Sequence, residues 1–135
     1  MNNVIKVVIV CFSMLFLAQG KAVADVPPGL VESIASAIKA GNSKELAKYF
    51  GPTVEIIIPG SEGAFSKAQA EMIMKDFFTR SASISFVVNQ KGNSAGGAQF
   101  MIGTYRSKGE VLNVYILLKP VSNQLLIQQM HFEAD

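Results

Sequence analysis

From Leu30 onward the apolar positions recur every three or four residues before they begin to alternate. Leu30, Ile34 and Ile38, with Val31 and Ala35 beside them, make one stripe, which predicts a helix that buries a single face. Pro27-Pro28 opens it, where a missing N–H costs nothing, and Ala40-Gly41 ends it. Asn42 and Glu45 have the spacing of an N-cap and its reciprocal partner. They start a short second helix with Leu46 and Phe50 on one side and Gly51-Pro52 as its stop. Thr53 to Ile58 (TVEIII) is β-branched and predicts a strand, and Pro59-Gly60 turns the chain. Ser66 and Gln69 form a capping box for a third helix, whose apolar face is Ala70, Ile73, Met74 and Phe77.

After that the period changes to two. Ser83–Gln90 sets Ile84, Phe86 and Val88 against Ser85, Val87 and Asn89. The Gly-, Asn- and Ser-rich stretch Lys91–Gly97 predicts a hairpin loop. Strands follow over Ala98–Arg106, Glu110–Lys119 and Gln124–Phe132, with turns at Ser107-Lys108-Gly109 and Pro120–Asn123. The predicted order is therefore ααβαββββ, an α+β fold with three helices on one face of a curved antiparallel sheet. No internal repeat, linker or low-complexity tract interrupts it.

The start of the chain changes the picture. Lys6 precedes an apolar run from Val7 to Ala18, and Ala22-Val23-Ala24 supplies the small residues of an A-x-A cleavage site. Residues 1–24 are therefore expected to be a signal peptide and 25–135 a single exported domain, in the periplasm or outside the cell. The run is too short for the roughly 20 apolar residues of a membrane span, so no membrane anchor is expected after cleavage. Cys11 does not suit lipidation, since Val10 before it is not small and the cysteine sits inside the run. Without Lys6 and Lys21 the chain's 12 basic residues become 10, against 10 acidic ones. A neutral domain has no basic footprint for nucleic acid. The single cysteine leaves with the peptide, so no disulfide is expected and the domain depends on its apolar core.

The element order, together with the segments AIKAGNSKELAKYF, TVEIII, FSKAQAEMIMKDFF and LLIQQMHFE, resembles the nuclear transport factor two-like superfamily. Its cystatin-like, cone-shaped fold is shared with ketosteroid isomerase and scytalone dehydratase. Within it the chain is similar to a family of short exported bacterial proteins known as a domain of unknown function, number 4783. The resemblance implies a cone-shaped roll, a pocket inside the cone and a homodimer through the open sheet face. It supplies no activity, because the superfamily holds enzymes, ligand binders and interaction modules.

Few residues suggest chemistry. Glu55 lies between Val54 and Ile56, and burial there would make it a general base; equally, Thr53, Glu55 and Ile57 share a face that can be wet. Tyr105 and Tyr115, on adjacent strands, could donate hydroxyls to an oxyanion or simply cover a core or an interface. Asn113 is disfavoured in mid-strand and shares a face with Tyr115, which suggests a polar contact. His131, the single histidine, alternates with Gln129, Ile127 and Leu125. Gln128 and Gln129 offer amides to opposite faces. No spacing of His, Cys or acid predicts a metal site, and no cofactor is expected. Gly60-Ser61-Glu62-Gly63 is expected to be a flexible loop at the cone mouth, since Glu62 would repel an anion.

The meander is apolar on both faces. Leu112, Val114, Ile116 and Leu118 fill one side, and Met101, Tyr105, Tyr115 and Leu117 are assigned to the other, which predicts a homodimer through the open face. The leading expectation is a non-enzymatic exported module that binds a small apolar ligand or a protein partner. The alternative is a small lyase or isomerase, with Glu55 as base and Tyr105 or Tyr115 as oxyanion donor. A third is a structural partner domain whose cone is plugged by Phe77, Phe78 and Phe86.

Overall fold

A computed structural model describes residues 29–135. The expected signal peptide over residues 1–24, with Cys11, and the Pro27-Pro28 opening lie outside the described residues. The elements are α1 (Leu30–Ala40), α2 (Ser43–Ala47), β1 (Phe50–Ile58), β2 (Ser61–Ser66), α3 (Lys67–Arg80), β3 (Ser83–Asn93), β4 (Gln99–Ser107), β5 (Glu110–Val121) and β6 (Gln124–Glu133). A short 3-10 turn, Ala95–Gly97, links β3 to β4.

The caps sit where the residues place them. Asn42 accepts a hydrogen bond from the Glu45 N–H at 3.0 Å, and Ser66 and Gln69 close a full capping box on α3, satisfying orphan donors at each helix start. Gly41 ends α1 in the left-handed conformation, with its N–H turned back to the last carbonyls.

The six strands form one sheet in the order β2-β1-β6-β5-β4-β3. From β3 to β6 the strands pair sequentially and antiparallel, as the alternating pattern predicts. Four features depart from expectation. Phe50 is not on the second helix and Gly51-Pro52 is not its stop, because α2 ends at Ala47 and these residues open β1, with Phe50 paired to Ile127. The Gly60–Gly63 stretch is not a mouth loop, because Ser61–Ser66 pairs antiparallel with β1 as an edge strand, giving the order ααββαββββ. The sheet is mixed rather than purely antiparallel, because β1 runs parallel to β6, with Ile57 opposite His131. The connection needed for a parallel pair is the whole intervening chain. The loop after β3 is also shorter than predicted, with Gly92 and Asn93 still paired to Phe100 and Gln99.

One face of the sheet holds the core. Ile34 and Ile38 of α1, Leu46 of α2, and Met74 and Phe77 of α3 are fully buried with Val54, Ile56, Met101, Ile116, Met130 and Phe132 of the sheet. At its centre the rings of Phe77, Tyr105 and Phe132 meet with centroids 5.3–5.6 Å apart, within the favourable range for edge and tilted aromatic pairs. Phe78 joins this cluster. Phe86 is buried as well, and its ring lies across Gly103, where an added Cβ would come within 2.8 Å of it. The inner face of the sheet is thus occupied by aromatic side chains.

Candidate functional site

Strand alternation divides the residues singled out above between two faces. Tyr105 is fully buried on the inner face, and its hydroxyl donates to the Ser81 carbonyl at the end of α3. Burial is the main cause that pushes this phenol up to about 12. Met101 is buried beside it on the same face. The assignment of Met101 and Tyr105 to the open face is therefore corrected. They pair with Ile116 and Leu112, which point inward. Glu55 lies on the outer face, so it cannot act with Tyr105, from which the sheet separates it.

The outer face gathers most of the others. Glu55 in β1 is opposite Gln129 in β6, and Tyr115 in β5 is opposite His131 in β6. Because β6 lies between β1 and β5, His131 stands between the glutamate and the tyrosine. Glu55 Oε1 lies 3.5 Å from His131 Nε2, and Glu133 Oε1 lies 3.9 Å from Nδ1. Nε2 is buried without a hydrogen-bond partner, since the Glu55 approach is an ion-pair distance and not a formed bond. The Tyr115 ring sits 6.0 Å from the imidazole, tilted by 50°. Asn113 donates from its side-chain amide to the Asp135 carboxylate. A shallow cleft of about 270 Å³ opens between Ile102, Asn113, Tyr115, His131 and Glu133.

Gln128 does not share this arrangement. Leu117 pairs with Gln129 and Leu118 with Ile127, so Gln128 is the extra residue of a bulge and points to solvent. The bulge also breaks the expected alternation. Ile127 is fully buried on the inner face while Gln129 and His131 lie on the outer one. Glu133 and Asp135 were not singled out from sequence. Glu133 shares a face with His131 through simple period-two spacing, which is the signal that finds it.

Chemically, an imidazole held by a carboxylate is the arrangement of an oriented general base. Here, however, each ring nitrogen faces a different carboxylate, so neither is left aimed at a substrate. The cluster is also half-open, with the Glu55 and Glu133 side chains 45% and 54% exposed, whereas proton abstraction gains from exclusion of water. Among the described residues, no group of three or more His, Cys, Asp or Glu side chains is placed to hold a metal ion.

A helix-backed curved sheet with these connections defines the nuclear transport factor two-like, or cystatin-like, α+β class. Distant solved structures share that fold, including a putative dehydratase of the nuclear transport factor two-like family from Streptomyces avermitilis. That protein is 12% identical, with a TM-score of 0.59 over 78% of this chain and 90% of the other. More particularly, the family described as Domain of unknown function (DUF4783) matches residues 31–133, and the chain belongs to it. A DUF4783 family protein from Bacteroides ovatus is 32% identical, with a TM-score of 0.72, covering 82% of this chain and 96% of the other. One from Bacteroides uniformis is 31% identical, with a TM-score of 0.73, covering 78% and 97%. No curated protein matches the chain.

Proposed function

We infer that the protein is an exported, non-enzymatic module that works through the outer face of its sheet, binding a protein partner and pairing with a second copy of itself. The single observation that carries this reading is the contrast between the two faces. The inner face is filled by Phe77, Phe78, Phe86, Tyr105 and Phe132, which leaves a small apolar ligand as the less supported occupant. The outer face keeps Ile102, Tyr115 and Leu117 around His131, with Val87 and Val111 half exposed, at 56% and 50%, on the same side. Apolar and aromatic side chains gathered on an open sheet face are the usual mark of a contact surface.

Size-exclusion chromatography with light scattering, at tens of micromolar, tests the pairing. A dimer is expected for the native chain, and a monomer of unchanged helix and strand content for Tyr115→Glu, because a buried charge opposes association at such a face. A native monomer would overturn self-pairing. Export rests on the leader, and N-terminal sequencing of the protein recovered outside the cytoplasm should begin at Asp25.

A second reading, a small lyase or isomerase, is favoured by the 3.5 Å approach of Glu55 to His131. In that case His131 would be the base and Glu55 its orienting partner, with Tyr115 as the donor within reach. Deuterium exchange at the carbon beside the carbonyl of simple ketones, catalysed by the native chain and lost in His131→Ala, would support it over a binding role.

A further inference from the structure

At the end of the sheet away from the His131 cluster, the link between β3 and β4 meets the β5–β6 hairpin and encloses a cleft of about 540 Å³, within the usual size range of small-ligand sites, about 300–1,000 Å³. Its lining contains no charged side chain among the described residues, although the chain as a whole is 16% charged. Instead it presents Asn93, Ser94, Gln99, Asn123 and Gln124. None of these side chains makes a hydrogen bond to another described residue. Five uncharged hydrogen-bonding groups therefore line one cleft, Asn93, Ser94, Asn123 and Gln124 exposed and Gln99 partly buried, free to exchange water for a ligand. Ala98, which is buried, and Pro120 and Leu125 give the cleft an apolar floor.

The backbone is arranged to hold this cleft open. Ser94 N–H donates to the Ala98 carbonyl at 2.8 Å, which closes the loop on itself. Gly97 has φ +79, and a Cβ there would meet Pro120 at 3.4 Å, so glycine lets this wall lie close to the hairpin. In the facing turn Ser122 and Asn123 both have positive φ, the conformation of a tight hairpin turn in which glycine is the easier choice. This turn carries an amide there instead, and the amide faces the cleft.

We propose that this cleft binds a neutral, hydroxyl-rich ligand, a short uncharged oligosaccharide, separately from the outer sheet face. A primary amide offers two donors and an acceptor, and a hydroxyl offers one donor and two acceptors. Pairs of adjacent sugar hydroxyls match such amides, while the C–H faces of the rings pack on the apolar floor. A charged glycan would find no counter-ion in the lining. An extended peptide would add instead to the open outer edge of β3, whereas the cleft lies on the paired side, where Asn93 pairs with Gln99 and Val121 with Gln124.

The test is a panel of neutral, sulfated and sialylated oligosaccharides presented to the full mature chain, followed by NMR titration of any binder into isotopically labelled protein. The expected result is binding of neutral members, with side-chain amide shifts at Gln99, Asn123 and Gln124. A Gln99→Ala/Gln124→Ala double variant should weaken that binding by about tenfold or more, as two lost hydrogen bonds imply, with its oligomeric state and melting curve unchanged. No neutral binder at millimolar concentration, preference for charged glycans, binding of a neutral extended peptide instead, or shifts confined to the outer sheet face would each overturn the proposal. The pairing of copies through the outer face is read out separately by light scattering, so either idea can fail alone.

Discussion

The two faces of this sheet both carry apolar side chains and behave in opposite ways. On the inner face the rings of Phe77, Phe78, Tyr105 and Phe132 pack on one another, and the one polar aromatic among them, Tyr105, has its hydroxyl satisfied by Ser81. On the outer face Tyr115 meets His131 and carboxylates, and the imidazole Nε2 is left unpaired. The inner face shows what a closed core demands, which is close packing with the Tyr105 hydroxyl bonded, although the buried Ser83 hydroxyl near it has no partner. The outer face tolerates an unmade contact beside half-exposed carboxylates.

Substitutions can break or sharpen that contrast. Phe77→Ala removes the ring at the centre of the aromatic cluster and should lower stability by about 3–5 kcal/mol in urea unfolding. Gly103→Ala places a Cβ within 2.6 Å of the Val87 carbonyl and 2.8 Å of the Phe86 ring. It should cost about 1–3 kcal/mol by overpacking, although only one methyl is added. The Tyr105 phenol is held up to about 12 by burial, against 10.0 ordinarily. Between those values the unfolded chain loses its proton while the folded one keeps it. Stability should therefore be intact below about pH 10 and fall as pH rises towards about 12, and Tyr105→Phe should remove that part of the decline. At the small end, His131→Ala on the outer face, at a partly buried side chain whose Nε2 has no hydrogen bond to lose, should lower stability by no more than about 1 kcal/mol. A loss comparable to that of Phe77→Ala would erase the distinction between the faces.

Much of the fold was legible because its signals were local and repeated. The stripe Leu30, Ile34 and Ile38, the Asn42 and Ser66 caps and the alternation of β5 each specify one element without help from the rest. Strand β2 was not legible. Ser61 to Ser66 is short, with small or polar residues and Gly63, and it is a strand because β1 offers it an open edge. Which face of β4 looks inward was also hidden, because Phe100 and Ile102 on one side are as apolar as Met101 and Tyr105 on the other. Glycines do not mark the answer either, since the Phe86 ring lies across Gly103 on the inner side and the Phe100 ring across Gly92 on the other. The site was partly legible for the same reason. Asn113 and Tyr115 were rightly placed on one face by spacing, whereas the bulge at Gln128 reversed the parity that linked His131 to Ile127. A one-residue bulge leaves no trace in composition.

The parallel pairing of β1 with β6 carries a consequence for how the chain acquires its shape. Phe50 finds its neighbour Ile127, and Ile57 finds His131, from near the two ends of the domain, and such distant pairings are slow to close. During synthesis β1 has no strand on that side until the ten residues of β6, Gln124–Glu133, emerge. Closure of the sheet therefore waits for β6, and a chain truncated before Gln124 would expose two unpaired strand edges, on β1 and β5, at once.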